Sequence, residues 1–227
     1  LVAAGIEEIL IITGRNKGSI ENHFDYSYEL EKTLEEKGKK DLLKIVDGIS
    51  EMSNIYYVRQ KRPLGLGHAI SCAEAFVGDE PFVVLLGDDI IYADKDKGQN
   101  PVTKQLVEKY NELQGGTILG VQEVPHENVS KYGIIKPLKQ IDEKTVAVED
   151  FIEKPSVNEA PSNLAALGRY VLEPEIFSYL KRTKPGKGGE IQLTDAILAM
   201  KNDGEKLYAY NFDGLRYDTG DKMGMFI

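Results

Sequence analysis

Apolar and polar positions alternate along this chain in two distinct rhythms. Ile6–Thr13 (IEEILIIT) is a β-rich run closed by Gly14, and Asn54–Gln60 (NIYYVRQ) and Pro81–Leu86 (PFVVLL) repeat the pattern. Between them, Asn16–Phe24 reads as a short helix. Tyr28–Met52 carries recurring leucines in a charged background, the mark of one or two amphipathic helices. His68–Val77 and Val102–Leu113 continue the helical rhythm, and Gly116–Val124 is a further strand. Strands alternating with helices at this spacing predict βαβ units and a mainly parallel sheet with helices on both faces, a Rossmann-like α/β fold.

After Val124 the rhythm changes. Tyr132–Pro155 reads as a β-hairpin and Leu164–Leu172 as a strand. Pro174–Leu180 and Ile191–Lys201 read as helices. Leu207–Tyr217 is β again, with Asp213-Gly214 as its turn. A Rossmann-like α/β half over 1–124 and an α+β half of the same domain over 125–227 are therefore expected. Leu1–Ala4 running into Gly5 reads as a helix tail with its glycine cap, so an earlier strand is expected upstream. Asp221–Ile227 reads as the start of a further helix.

Composition narrows the function. A hydrophobic content of 41% with 29% charged residues is that of an ordinary globular protein. A formal net charge of -9 argues against a nucleic-acid partner, because phosphate backbones favour basic surfaces. Cys72 is the one cysteine, which excludes an internal disulfide and fits a cytoplasmic setting. No apolar run approaches the roughly 18 residues of a membrane span.

Five segments carry candidate chemistry. Leu85-Leu86-Gly87-Asp88-Asp89 places two carboxylates at the carboxyl end of a strand, where open α/β sheets bind ligands. Such hard oxygens suit Mg²⁺, although the same residues also serve as a turn that caps the next segment. Gln60-Lys61-Arg62-Pro63-Leu64-Gly65-Leu66-Gly67-His68 is a basic, glycine-containing loop opening a helix, suited to phosphate or to a flat base, or equally an ordinary βα turn. Gln60 offers a donor and an acceptor to a base edge. Glu153-Lys154-Pro155 pairs a carboxylate for sugar hydroxyls with an ammonium for phosphate; as an isolated dipeptide it reads equally as a surface ion pair. Pro155 restricts Lys154 to extended geometry. Gly188-Gly189-Glu190-Ile191-Gln192 starts a helix. In Arg216-Tyr217-Asp218-Thr219-Gly220, Asp218 is a helix cap or a second metal ligand.

The order LLGDD, YGII, FIEKP, NLAALGRY, GEIQLTDAI, YDTG resembles the bacterial UTP–glucose-1-phosphate uridylyltransferases, within the wider sugar-phosphate nucleotidyltransferases. ITGRNKGSIENHFDYSYELE and RPLGLGHAI are especially similar to that branch. The resemblance implies UDP-glucose and pyrophosphate made from UTP and glucose-1-phosphate, with Mg²⁺ as cofactor. It implies that Gln60 and Gly65 contact uracil and that Asp88 holds Mg²⁺ with Asp218. Gly133 would lie against the glucose ring, Glu153 would bind its hydroxyls and Lys154 its phosphate. Asp88 and Lys154 are the expected catalytic residues. Asp89, His68, Asn163, Glu190 and Gln192 are expected nearby without assigned partners. A homo-oligomer is expected for the full-length protein. The family's glycine-rich phosphate loop would lie upstream of Leu1, and without it residues 1–227 are expected to be inactive alone. The alternatives are a transferase for dTTP or another sugar phosphate, an NAD-dependent dehydrogenase, and a non-catalytic nucleotide-sugar-binding module.

Overall fold

The computed structural model describes residues 1–219, apart from the side chain of Lys187. The helix expected over Asp221–Ile227 lies outside the described residues. The expected α/β architecture is present, with strands β1 (Glu8–Thr13), β2 (Asn54–Arg59), β3 (Phe82–Leu85), β4 (Asp89–Tyr92) and β5 (Thr117–Glu123) in the first half. The second half supplies β6 (Gly133–Gln140), β7 (Thr145–Glu153), β8 (Leu164–Leu172), β9 (Leu207–Asn211) and β10 (Leu215–Asp218). The helices are α1 (Gly18–Phe24), α2 (Tyr28–Glu36), α3 (Lys40–Ser50), α4 (Leu66–Ser71), α5 (Glu74–Val77), α6 (Val102–Glu112), α7 (Ile176–Arg182) and α8 (Leu193–Asn202). Val2–Ala4 forms a single 3₁₀ turn ended by left-handed Gly5 (φ 86°).

Six strands form the central sheet in the order β3-β8-β5-β9-β7-β6. The parallel share is smaller than the helix–strand alternation predicts. Among the described residues β1–β2 and β5–β9 pair in parallel, whereas β8 enters antiparallel between β3 and β5. The β6–β7 hairpin then closes back onto β8 through Gly133↔Ala166. Both faces are covered. Ile70 of α4, Ile176, Phe177 and Leu180 of α7, and Ala196, Ile197 and Met200 of α8 pack on one face, each at most 3% exposed. Val102 and Leu106 of α6 cover the other, with Ile118, Ile134 and Leu167 beneath them. Burying these side chains contributes about 1.5–3 kcal/mol each before the entropy of ordering is subtracted. Among the described residues no helix is long and apolar enough to cross a membrane.

One turn differs from expectation in a way that builds the site. Asp213-Gly214 does not fold β10 back on β9; β10 leaves the central sheet and pairs antiparallel with β4. Two glutamines divert the backbone. Gln105 donates to Asp213 O at 2.9 Å and accepts from Asp213 N at 2.9 Å. Gln122 donates to Phe212 O at 3.3 Å and to Gly214 O at 2.8 Å. These bonds satisfy the turn's polar groups without a hairpin ladder.

Candidate active site at the strand ends

The carboxyl end of β3 is where the chain first opens. Leu86 N donates to Gly168 O at 2.9 Å, the chain turns at Gly87-Asp88, and Asp88 is exposed. Its carbonyl accepts from Thr219 N at 2.8 Å and Thr219 Oγ1 at 2.9 Å. The β4–β10 register sets Asp218 opposite Asp89, so Asp88 and Asp218 share one end of this ribbon. Asp89 is different in kind. It is 7% exposed and its Oδ1 accepts from Arg216 Nε at 2.5 Å. Burial pushes the Asp89 carboxyl upward, and the Arg216 guanidinium only partly offsets it. For Arg216, burial opposes the charge but Asp89 more than offsets it, so its pKa is raised. Gly168 (φ 57°) is required here, because a Cβ would overlap the Asp89 carboxylate. Arg169, itself 7% exposed, donates to Leu86 O, Gly168 O and Asp89 O.

Arg216 carries the network onward. It donates to Asp218 Oδ2 at 3.1 Å and to the Tyr132 hydroxyl at 3.0 Å, and lies 4.9 Å from the Tyr132 ring centroid. Tyr132 O in turn accepts from Lys154 N at 2.9 Å. Gly133 sits opposite Glu153 in the β6–β7 register, and a Cβ there would run into the Phe151 ring and lie 3.1 Å from Glu153 Oε2. Glu153 Oε2 accepts from Thr194 Oγ1 at 2.7 Å, which fixes the carboxylate from the first turn of α8. Lys154 Nζ is 3.9 Å from Glu153 Oε1 and half-exposed.

Lys154 is not extended, contrary to the expectation from Pro155. Its φ is 47°, in the left-handed region. The β6–β7 ladder ends at Glu153, and the backbone bond to Tyr132 O then turns the chain at Lys154. The pre-proline restriction excludes the right-handed helical region, but cross-strand pairing chooses among what remains. A non-glycine residue held there stores on the order of 1–3 kcal/mol, a cost that recurs at ligand clamps.

The third part is the loop after β2. Gln60 Nε2 donates to Gly65 O at 3.1 Å and lies 2.9 Å from His68 Nδ1. Gly65 (φ 94°) caps α4, and a Cβ on it would meet Glu190 Cβ at 2.7 Å. Ile191 N donates to Leu64 O at 2.7 Å, and Gly67 N donates to Ile191 O at 2.9 Å. The β2 loop and the segment leading into α8 are thus zipped together. Gln192 donates to exposed Glu190 at 3.4 Å. Asn163 stands on the flank, with Oδ1 2.9 Å from His126 Nδ1.

These contacts form two runs: Gln60 and the Gly65 loop bound to Ile191, and Thr194, Glu153, Gly133, Tyr132, Arg216 and Asp218, whose neighbour Thr219 holds Asp88. A concavity of about 660 Å³ beside β4 is lined by Tyr92, Gln99, Val102, Thr103 and Arg169.

A family model described as "Nucleotidyl transferase" matches residues 1–226. The UTP–glucose-1-phosphate uridylyltransferase of Bacillus subtilis (strain 168) is 53% identical over 223 residues, spanning 98% of this chain and 74% of that protein. The chain belongs to the nucleotidyl transferase family. Two solved structures place it further within that family. The crystal structure of a UDP-glucose pyrophosphorylase complexed with UDP-glucose has a TM-score of 0.87 at 43% identity, covering 98% of this chain and 79% of that one. A UTP-bound UGPase from Acinetobacter baumannii has a TM-score of 0.88 at 40% identity, covering 99% and 76%.

For a nucleotidyl transferase these residues offer a usable division of labour: carboxylates at exposed Asp88 and half-buried Asp218, a carboxylate and an ammonium at Glu153 and Lys154, and an amide at Gln60. Tyr132, Arg169, Thr194 and Arg216 complete it and were not singled out by sequence reasoning. Arg169 and Arg216 lie within GRY and RYDTG, so position inside a motif was the available signal.

Proposed function

We propose that this protein makes UDP-glucose and pyrophosphate from UTP and glucose-1-phosphate, with residues 1–124 serving mainly the nucleotide and the remainder the sugar phosphate. The observation that carries this reading is the contact path joining Asp88 and Asp218 to Glu153 and Lys154 through Tyr132 and Arg216. Its relatives named for this reaction, and neighbours holding UTP and UDP-glucose, support it.

A phosphate oxygen of glucose-1-phosphate attacks the α-phosphorus of UTP. The new P–O bond forms as the bond to the β-phosphate oxygen breaks, and pyrophosphate leaves. Glu153, fixed by Thr194, accepts from the sugar hydroxyls, and Gly133 leaves room for the ring. Lys154 Nζ meets the attacking phosphate, and Gln60 with Gly65 holds the base. Two oxygen donors on one ribbon end fit Mg²⁺, which keeps most of its shell as water and phosphate. Asp88 and Asp218 would hold it, and when bound it supplies charge neutralisation on the phosphates. Catalysis is then alignment and electrostatics, with no protein nucleophile.

Isotope exchange tests the direct attack in the full-length protein. Labelled pyrophosphate is expected to enter UTP only when glucose-1-phosphate or UDP-glucose is present. Exchange with UTP alone would mean a uridylyl-enzyme, and the proposed step would be wrong.

A further inference from the structure

The Gln60 amide has a fixed orientation with a chemical consequence. Gly65 O is a carbonyl and only accepts; it already takes Ala69 N of α4 at 3.1 Å, and it takes Gln60 Nε2 at 3.1 Å. The nitrogen therefore points inward. Its second N–H points to His68 Nδ1 at 2.9 Å, a contact that is favourable only when Nδ1 is the acceptor and His68 carries its proton on Nε2. Both amide hydrogens are then engaged within the protein. The atom that Gln60 presents to a ligand is Oε1, which only accepts.

We propose that His68 is a specificity-determining residue, which holds the Gln60 amide so that only an acceptor faces the base and nucleotides with an imide N–H are selected over cytidine. This rests on the reading of Gln60 as the base contact. Uracil and thymine carry a hydrogen on ring N3 that donates to Oε1. Cytosine N3 is a lone pair and meets Oε1 as acceptor against acceptor, and the amide cannot rotate to help without breaking the bonds to Gly65 O and His68 Nδ1. A site whose polar group is left unpaired rejects the wrong ligand more strongly than a poorly filled apolar pocket does. His68 acts through Gln60 and need not touch the nucleotide.

The test is kcat/KM for UTP and for CTP, each with glucose-1-phosphate, in the full-length protein and two variants. His68→Ala removes one of the two acceptors that hold the amide and leaves Gly65 O alone to orient it, so the UTP/CTP ratio is expected to fall by about tenfold, the worth of one hydrogen bond. His68→Asn keeps an oxygen at the same bond distance from the backbone as Nδ1, and is expected to retain most of the ratio. A ratio unchanged in His68→Ala, with both nucleotides losing activity equally, would reduce His68 to a structural residue and overturn the proposal. Equal loss of the ratio in both variants would also overturn it. If His68→Ala does not fold, judged by circular dichroism, a His68→Asn ratio within about threefold of wild type supports the proposal, and a larger loss overturns it. Wild-type protein that used CTP as well as UTP would also overturn the proposal, whereas wild-type protein that used neither nucleotide would sink the uridylyl reading itself.

Discussion

Arg216→Met is the perturbation whose cost is best defined. Arg216 is 14% exposed at its side chain and Asp89 7%, with Nε 2.5 Å from Oδ1. Removing one partner of a buried pair leaves an uncompensated charge, and such breaks cost about 3–5 kcal/mol. For a chain of this size each kcal/mol lowers Tm by about 2–4 °C, so a loss of about 6–20 °C is expected. The pH dependence identifies the cause. Burial already raises the Asp89 pKa, and the variant loses the Arg216 contacts that hold it down. The native state then binds a proton more readily than the unfolded chain, so stability falls as pH rises through the native Asp89 pKa. The variant's deficit is therefore largest at neutral pH and shrinks on acidification as Asp89 becomes neutral. Denaturant melts of both proteins at pH about 7.5 and about 5 measure it, and Asp89→Asn in the variant background should recover most of the loss at the higher pH. A deficit below about 1 kcal/mol, or one that grows on acidification, would refute the buried-charge reasoning.

Asp88→Asn should abolish turnover with Mg²⁺, a loss of several kcal/mol in transition-state stabilisation, while the melting temperature stays near wild type because Thr219 grips the Asp88 carbonyl and not its carboxylate. Steady-state kinetics beside a thermal melt would show both. Lys154→Ala should weaken glucose-1-phosphate use by about tenfold or more while UTP binding is nearly unchanged; an effect confined to UTP would move Lys154 to the other phosphate group. Gly133→Ala should lower stability by about 1–3 kcal/mol, because the new methyl meets the 4%-exposed Phe151 ring, and should raise the KM for glucose-1-phosphate. Wild-type melting and KM in that variant would mean that strand β6 shifts freely.

Periodicity made most elements legible. The leucines of Tyr28–Met52 marked α2 and α3, and the apolar runs marked β1, β2, β3 and β5, because each pattern is local. What escaped depends on distant partners. β4 is four residues directly after a turn, and its partner β10 is more than a hundred residues away. Asp213-Gly214 carries a true local turn signal, yet Gln105 and Gln122, remote in sequence, decide where the chain goes next. Arg169 and Arg216 carry no local signal of burial. Only the fold shows buried Arg169 and largely covered Arg216 gathered around Asp89, which the sequence placed beside Asp88 as a second strand-end carboxylate. Of the expected site residues, Gly133, Glu153, Lys154, Asp218 and, through Thr219, Asp88 lie along one run of contacts, Gln60 and Gly65 lie in the loop bound to Ile191, and Asn163 is engaged at the flank by His126.

The central claim is transfer of a uridylyl group to glucose-1-phosphate. Phosphorus NMR of the full-length protein with Mg²⁺, UTP and glucose-1-phosphate follows every phosphate at once. The expected spectrum shows the UDP-glucose diphosphate and pyrophosphate growing in equal amounts as UTP and glucose-1-phosphate decline together. Loss of UTP to UMP or free phosphate with glucose-1-phosphate untouched would contradict it.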